Sequence, residues 1–91
     1  MLNKLSIEKG AVVRSRAGRD EGRLFIVLEV IDEQYVYICN GDSRKTANPK
    51  RKKLRHLKLV SSPKAEVLAR LNETNIVCDY EIRNWLAQEE A

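Results

Sequence analysis

The chain reads as a small, mostly β domain, a barrel or sandwich of about five strands, followed by two short helices. Three observations predict it. Short runs rich in Val, Ile, Phe and Tyr recur between Val12 and Val60. They are separated by turn chemistry at Ala17–Gly22, Asp32–Gln34 and Asn40–Asp42. After Ser61 and Ser62 the apolar spacing becomes helical, with Val67, Leu68 and Leu71 on one face and Ile82, Trp85 and Leu86 on another.

Met1–Lys9 is a polar lead-in from which Leu2, Leu5 or Ile7 packs weakly. The organising stretch is Gly10–Val30, GAVVRSRAGRDEGRLFIVLEV. Val12 and Val13 begin a strand, a glycine-bracketed basic loop follows, and Leu24–Val30 resumes as a second strand. Two strands joined by a short Gly-containing connection form a hairpin. Leu24–Ile31 is apolar at nearly every position, so this strand is expected to be buried on both faces. Tyr35–Cys39 has strong β propensity. Asn40-Gly41-Asp42 turns because Asn and Gly tolerate positive φ. Ser43–Thr46 is expected to be a short fourth strand, broken by Asn48-Pro49. In Lys50–Val60 the second half alternates, with Leu57 and Leu59 inward and His56 and Lys58 outward, as in a closing edge strand. Pro63 suits a first helical position with Ser62 as N-cap. A break is expected over 72–77, and Cys78 or Asp79 starts the second helix of an αα-hairpin. The body is residues 1–62 and the helical extension 63–91.

Ninety-one residues allow one domain with a modest core and no large substrate cavity. An apolar content of 43% against 33% charged residues fits a folded domain rather than a disordered chain. No run approaches the roughly 20 apolar residues of a membrane span, so no membrane partner is expected. MLNKLSIEKG lacks the apolar centre of a secretion signal. Cys39 and Cys78 are far apart and read as reduced thiols, which points to the cytoplasm.

The net charge of +4 conceals an asymmetry. Residues 1–63 carry fourteen Lys or Arg against seven Asp or Glu, a balance of +7. Residues 64–91 carry three against six, a balance of −3. Eight cations, Arg44, Lys45, Lys50, Arg51, Lys52, Lys53, Arg55 and Lys58, stand in fifteen residues with no carboxylate among them. Adjacent cations repel, so folding alone gains nothing from them. A phosphate backbone relieves the repulsion and releases counterions. Arg14, Arg16, Arg19 and Arg23 add a second group on the glycine-bracketed loop, where guanidinium matches phosphate geometry. The plainer reading is a solvated, aggregation-resisting face, with Asp20 or Glu21 pairing one or two of the loop arginines. The two groups together favour RNA.

The remaining candidates are weaker. Phe25 and Trp85 read as core, and Tyr35 and Tyr37 are evenly balanced between core and surface. Few exposed aromatics favour structured RNA read by shape and phosphate over base stacking. His56, the only histidine, is flanked by cations that disfavour its protonation. It contacts RNA or packs on the barrel edge, and it lacks partners at metal-ligand spacing. No serine has a His/Asp context, and no phosphate-binding glycine loop is present. The chain is therefore read as non-catalytic, with no cofactor and no metal.

Gly10, Val13, Gly18, Arg19, Gly22 and the apolar positions Leu24–Val30 resemble the KOW motif of small SH3-like barrels in ribosomal proteins and transcription elongation factors. AGRDEG, VLEVIDEQYVYI, NGDSRK and KRKKLRHLKLV, in that order, resemble the large-subunit ribosomal protein family L-fourteen-e and small KOW-domain RNA-binding proteins related to it. The resemblance covers about the first sixty residues, and the tail from Pro63 is similar to a short helical extension of the small KOW-domain proteins.

The resemblance implies a five-stranded SH3-like barrel and a ribosomal or ribosome-associated role in translation, contacting large-subunit RNA. It places Arg19 at the loop tip toward the partner, and His56-Leu57 belongs to the family pattern. The C-terminal helices then offer a surface for ribosomal proteins. Two alternatives stand beside this reading. One is a transcription-associated KOW module that meets polymerase or nascent transcript. The other is an SH3-like protein-binding module with an acidic partner, although the usual SH3 peptide groove needs exposed aromatics.

Overall fold

Five antiparallel strands form one sheet in the order β4-β3-β2-β1-β5, and two C-terminal helices pack on it. The structure, a computed structural model, describes residues 7–73 and 77–90. The strands are β1 (Val12–Ser15), β2 (Leu24–Val30), β3 (Tyr35–Cys39), β4 (Lys50–Lys53) and β5 (Leu57–Ser61). A one-turn 3-10 helix, Leu54–His56, joins β4 to β5. The helices are α1 (Ala65–Glu73) and α2 (Asp79–Glu90).

That connection forces the sheet to curl. β4 and β5 are its two edges, and four strand spacings would part them by roughly 19 Å in a flat sheet. Three residues of 3-10 helix rise only about 6 Å. The edges must therefore approach each other, although no strand ladder joins them among the described residues. One side chain reaches across from the β4 edge: Lys52 Nζ donates to the Ala17 carbonyl at 3.2 Å. The Arg16 amide, donating to the His56 carbonyl at 2.8 Å, extends the β1–β5 pairing past Ser15 and Leu57 into the 3-10 turn.

The curled sheet has a core on each face. Val13, Phe25, Val27, Val36, Ile38 and Leu57 fill the inner one, with Ile7 and Ala11. Val12, Leu24, Ile26 and Cys39 face outward and meet Val67, Leu71, Ile82 and Leu86 of the helices. β2 sends alternate side chains to the two cores from Leu24 to Val27, so the expected double burial holds for its first half, whereas Glu29, Val30 and Ile31 are exposed. Phe25 and Ile26 are each fully buried, which stabilises the fold by about 1.5–3 kcal/mol per side chain. Phe25 is core as expected, and Trp85 lies half-buried at the margin of the helix–sheet core. Cys39 is buried, and burial, then the Asp79 charge, pushes its thiol up to about 12. Of the lead-in, Ile7 joins the inner core, while Leu2 and Leu5 lie outside the described residues.

Several expectations need correction. Ser43–Thr46 is a loop, because Asn40 captures its backbone. Asn40 Oδ1 accepts the Asp42 and Arg44 amides, each at 2.9 Å, and the Asn40 amide donates to the Arg44 carbonyl at 2.9 Å. The fourth strand is the cationic run Lys50–Lys53, paired with β3 from Ile38↔Lys50 to Tyr35↔Lys53. His56 sits in the 3-10 turn, and β5 begins one residue later, with Leu57 inward and Lys58 exposed. α1 starts at Ala65, two residues after Pro63. The Lys64 carbonyl accepts its first bond, from the Leu68 amide at 2.9 Å. Pro63 instead packs beside Gly10, where a Cβ would lie 3.2 Å away. Asn72 and Glu73 are helical, and residues 74–76 of the expected break lie outside the described residues.

The helices are antiparallel. Arg70 Nε bonds Glu81 Oε2 at 2.8 Å near the connection, and Lys64 Nζ approaches Glu89 at 3.2 Å at the other end. The Arg70 bond, with that from the Cys78 amide, holds the Glu81 carboxyl below its usual range. α2 also grips the β3–β4 loop. Asp79 Oδ1 accepts the Thr46 amide at 2.8 Å, and Arg83 Nη1 donates to the Gly41 carbonyl at 2.7 Å. Gly41 has a positive φ of 76°, and a Cβ there would overlap the Asp79 carbonyl oxygen.

Candidate nucleic-acid interface

The β1–β2 loop is rigid because its backbone is largely satisfied within it. The Ser15 amide donates to Arg23 at 3.0 Å, and the Gly22 amide returns to Ser15 at 2.8 Å. Glu21 donates to the Gly18 carbonyl at 3.2 Å, which places Arg19 and Asp20 at the centre of the turn. Arg19 is exposed at this tip, the position that the resemblance implies for it. Gly18 and Gly22 both have positive φ, so the turn needs them for conformation.

Asp20 points inward and is buried. It pairs with none of the loop arginines. Arg44, from the β3–β4 loop, reaches it through Nη2 at 3.2 Å and Nε at 3.3 Å. Arg44 is thus a latch between two loops, held at its carboxylate partner. Arg23 ties the same loops from outside, donating through Nη1 to Ser43 Oγ at 2.7 Å. Arg14 donates through Nη1 to the Gly22 carbonyl at 2.6 Å.

Apart from Arg19 at the loop tip and Lys50 and Arg51 on β4, the predicted residues fall into three groups. Arg16, Lys52, Lys53 and Arg55 surround His56 around the 3-10 turn. Their proximity is legible in the imidazole. Desolvation first, then the charges of Arg55, Lys52, Lys53 and Arg16, hold it below its ordinary value of 6.5. Arg14 and Lys58 stand opposite each other across β1 and β5, adjoining this group on the outer face. Arg23, Arg44 and Lys45 belong to the other flank, by the β3–β4 loop.

β4 divides its own cations. Arg51 and Lys53 share a face with Tyr37 and Tyr35, while Lys50 and Lys52 share the opposite one with Ile38 and Val36. Arg51 lies over the Tyr35 ring, 4.4 Å from its centroid. Tyr35 and Tyr37 are both half-buried, which leaves them between the two readings the sequence allowed. Among the described residues, Arg44 alone of the twelve predicted Lys and Arg side chains has a carboxylate within salt-bridge distance.

Sequence reasoning did not single out Arg83. It lies in the acidic tail, so charge counting hid it, yet it lines a cleft with Arg23. Its signal was helical spacing, one residue beyond Ile82 at the edge of the apolar stripe. Among the described residues no three His, Cys, Asp or Glu side chains are gathered as a metal site would require. No helix there is long and apolar enough to cross a membrane. No protein-family model and no curated protein matches this chain.

Proposed function

We propose that this protein binds structured RNA without catalysis, through the cationic face centred on the Leu54–His56 turn. One observation carries the reading. Arg16, Lys52, Lys53 and Arg55 gather around His56, and Lys58 stands beside them opposite Arg14, with no carboxylate paired to any of the five among the described residues. Such a field is repulsive within the folded protein and is relieved by a polyanion. The exposed, rigid Arg19 loop borders it, and the half-buried tyrosines favour phosphate and shape recognition over base stacking.

The finer architecture belongs to the same proposal. A sheet whose edges are joined by three residues supports an SH3-like barrel, closed by side chains such as Lys52 rather than by a ladder. The resemblance to KOW proteins then favours large-subunit ribosomal RNA in the cytoplasm as the target, with translation as the context. The C-terminal helices already bury Ile82 and Leu86 against the sheet, so any ribosomal-protein contact would use their outer surfaces.

The test is RNA affinity against salt for the wild type and for Lys53/Arg55/Lys58→Gln. Large-subunit RNA fragments and a random duplex serve as ligands. The expected result is a steep salt dependence that becomes shallower by about 0.7–0.9 per lost phosphate contact. Preference for one ribosomal fragment, with co-sedimentation on ribosomes, supports the ribosomal target. Absence of RNA binding near physiological salt overturns the reading.

A further inference from the structure

We propose that the cleft between the β1–β2 loop, the β3–β4 loop and α2 is a phosphate seat built by Arg23 and Arg83. This rests on the RNA reading and extends it onto the acidic tail. The cleft has a volume of about 360 Å³, and Leu24 and Leu86 form part of its wall. Two arginines line it from different elements, Arg23 from the β1–β2 loop and Arg83 from α2. Each is oriented by one short bond, Arg23 to Ser43 Oγ and Arg83 to the Gly41 carbonyl, both at 2.7 Å. A guanidinium has five N–H donors, so most of each fork remains for a ligand. Asp42 is the one carboxylate on the wall, which leaves the cleft net positive.

A row of residues leads into it. Lys58, Arg14 and Leu24 lie opposite one another across β5, β1 and β2, at roughly 4.8 Å per strand. Leu24 is itself part of the cleft wall. The cationic face therefore continues past Arg14 to Arg23 and across the seam to Arg83. Forked donors set by the protein match a phosphate's oxygens. The phosphate is that of an RNA backbone or of a small phosphorylated ligand, and the chemistry of the seat is the same for both.

The experiment follows the Arg23 and Arg83 Nε–H resonances of the intact protein by NMR during titration with a short RNA duplex, and separately with a mononucleotide. RNA affinity and salt slope are measured for Arg23→Gln, Arg83→Gln and Arg83→Lys. The expected result is that RNA shifts both resonances. Each Gln variant binds about fivefold more weakly with a shallower salt slope, and Arg83→Lys recovers part of the loss. RNA binding that leaves both resonances and both Gln variants unaffected overturns the seat while sparing the RNA reading. If RNA does not bind, the RNA reading falls. A saturable shift at both arginines with the mononucleotide then supports the seat as a small-ligand site, and no shift overturns it. Arg23→Gln touches only an exposed bond, so it decides the matter should Arg83→Gln unfold.

Discussion

The Arg44 guanidinium meets the buried Asp20 carboxylate at 3.2 Å across two different loops. The Asp20 side chain is 8% exposed and Arg44 32%. Removing the guanidinium strands a buried anion, whereas removing the carboxylate leaves a cation that can turn to water. Arg44→Ala is therefore expected to destabilise more than Asp20→Ala, by about 2 kcal/mol against about 1. Urea unfolding of both variants and the double variant measures the coupling. Equal, additive losses would show that the pair contributes little as a pair.

Gly22 and Gly41 both have positive φ but different surroundings. An alanine Cβ at Gly22 enters open space, so Gly22→Ala is expected to cost about 1–2 kcal/mol from backbone conformation alone. At Gly41 the Cβ meets the Asp79 backbone, so Gly41→Ala is expected to cost about 3 kcal/mol or more and to loosen α2. Chemical denaturation orders the two, and equal costs would mean that the loop yields freely.

His56 protonates less readily in the folded chain than its ordinary value of 6.5. The unfolded state then binds more protons in the window below 6.5. Stability accordingly falls as pH drops through that window and is unaffected by this group above it. His56→Gln is expected to flatten this part of the profile. The imidazole Cε1–H titration should move upward in Arg55→Gln, and upward again when RNA phosphate offsets the cations. A wild-type value at or above 6.5 would place the cations farther from the ring.

The helices and the sheet share a core through Ile82, which is fully buried against Ile26 and its neighbours. Ile82→Ala is expected to cost about 2–5 kcal/mol. Trp85, the only tryptophan, sits at the margin of this core and reports its loss by fluorescence. Far-ultraviolet dichroism and Trp85 fluorescence should unfold together. A separate early fluorescence transition would show that the helices melt alone.

Apolar burial made much of the fold legible in the sequence. Leu24–Val30 announces a strand, which is buried on both sides over its first four residues, and Asn40-Gly41 announces its turn. The helical faces at Val67, Leu71, Ile82 and Leu86 are also found where their spacing puts them. β4 was not legible, because Lys50–Lys53 owes its conformation to β3's backbone and to Arg51 lying on Tyr35. No local pattern of four cations encodes that. The start of α1 departs from its local signal because Pro63 packs on Gly10, a tertiary demand. Among the site residues, composition located the cations but could not tell the latched Arg44 from exposed Arg55, since the difference lies in Asp20, twenty-four positions away.

β2 is answerable to two cores at once, and this shapes how the chain can drift over generations. A strand with one wet face accepts change at every second position. In β3, substitutions at Tyr35 and Tyr37 should be tolerated between intolerant Val36 and Ile38. From Leu24 to Val27 no such relief exists, because every side chain is buried. A saturation library selected for folded protein should therefore show an unbroken block of intolerance there and a period of two in β3. Lineages carrying this fold would diverge first in their loops and charges and last in those four residues.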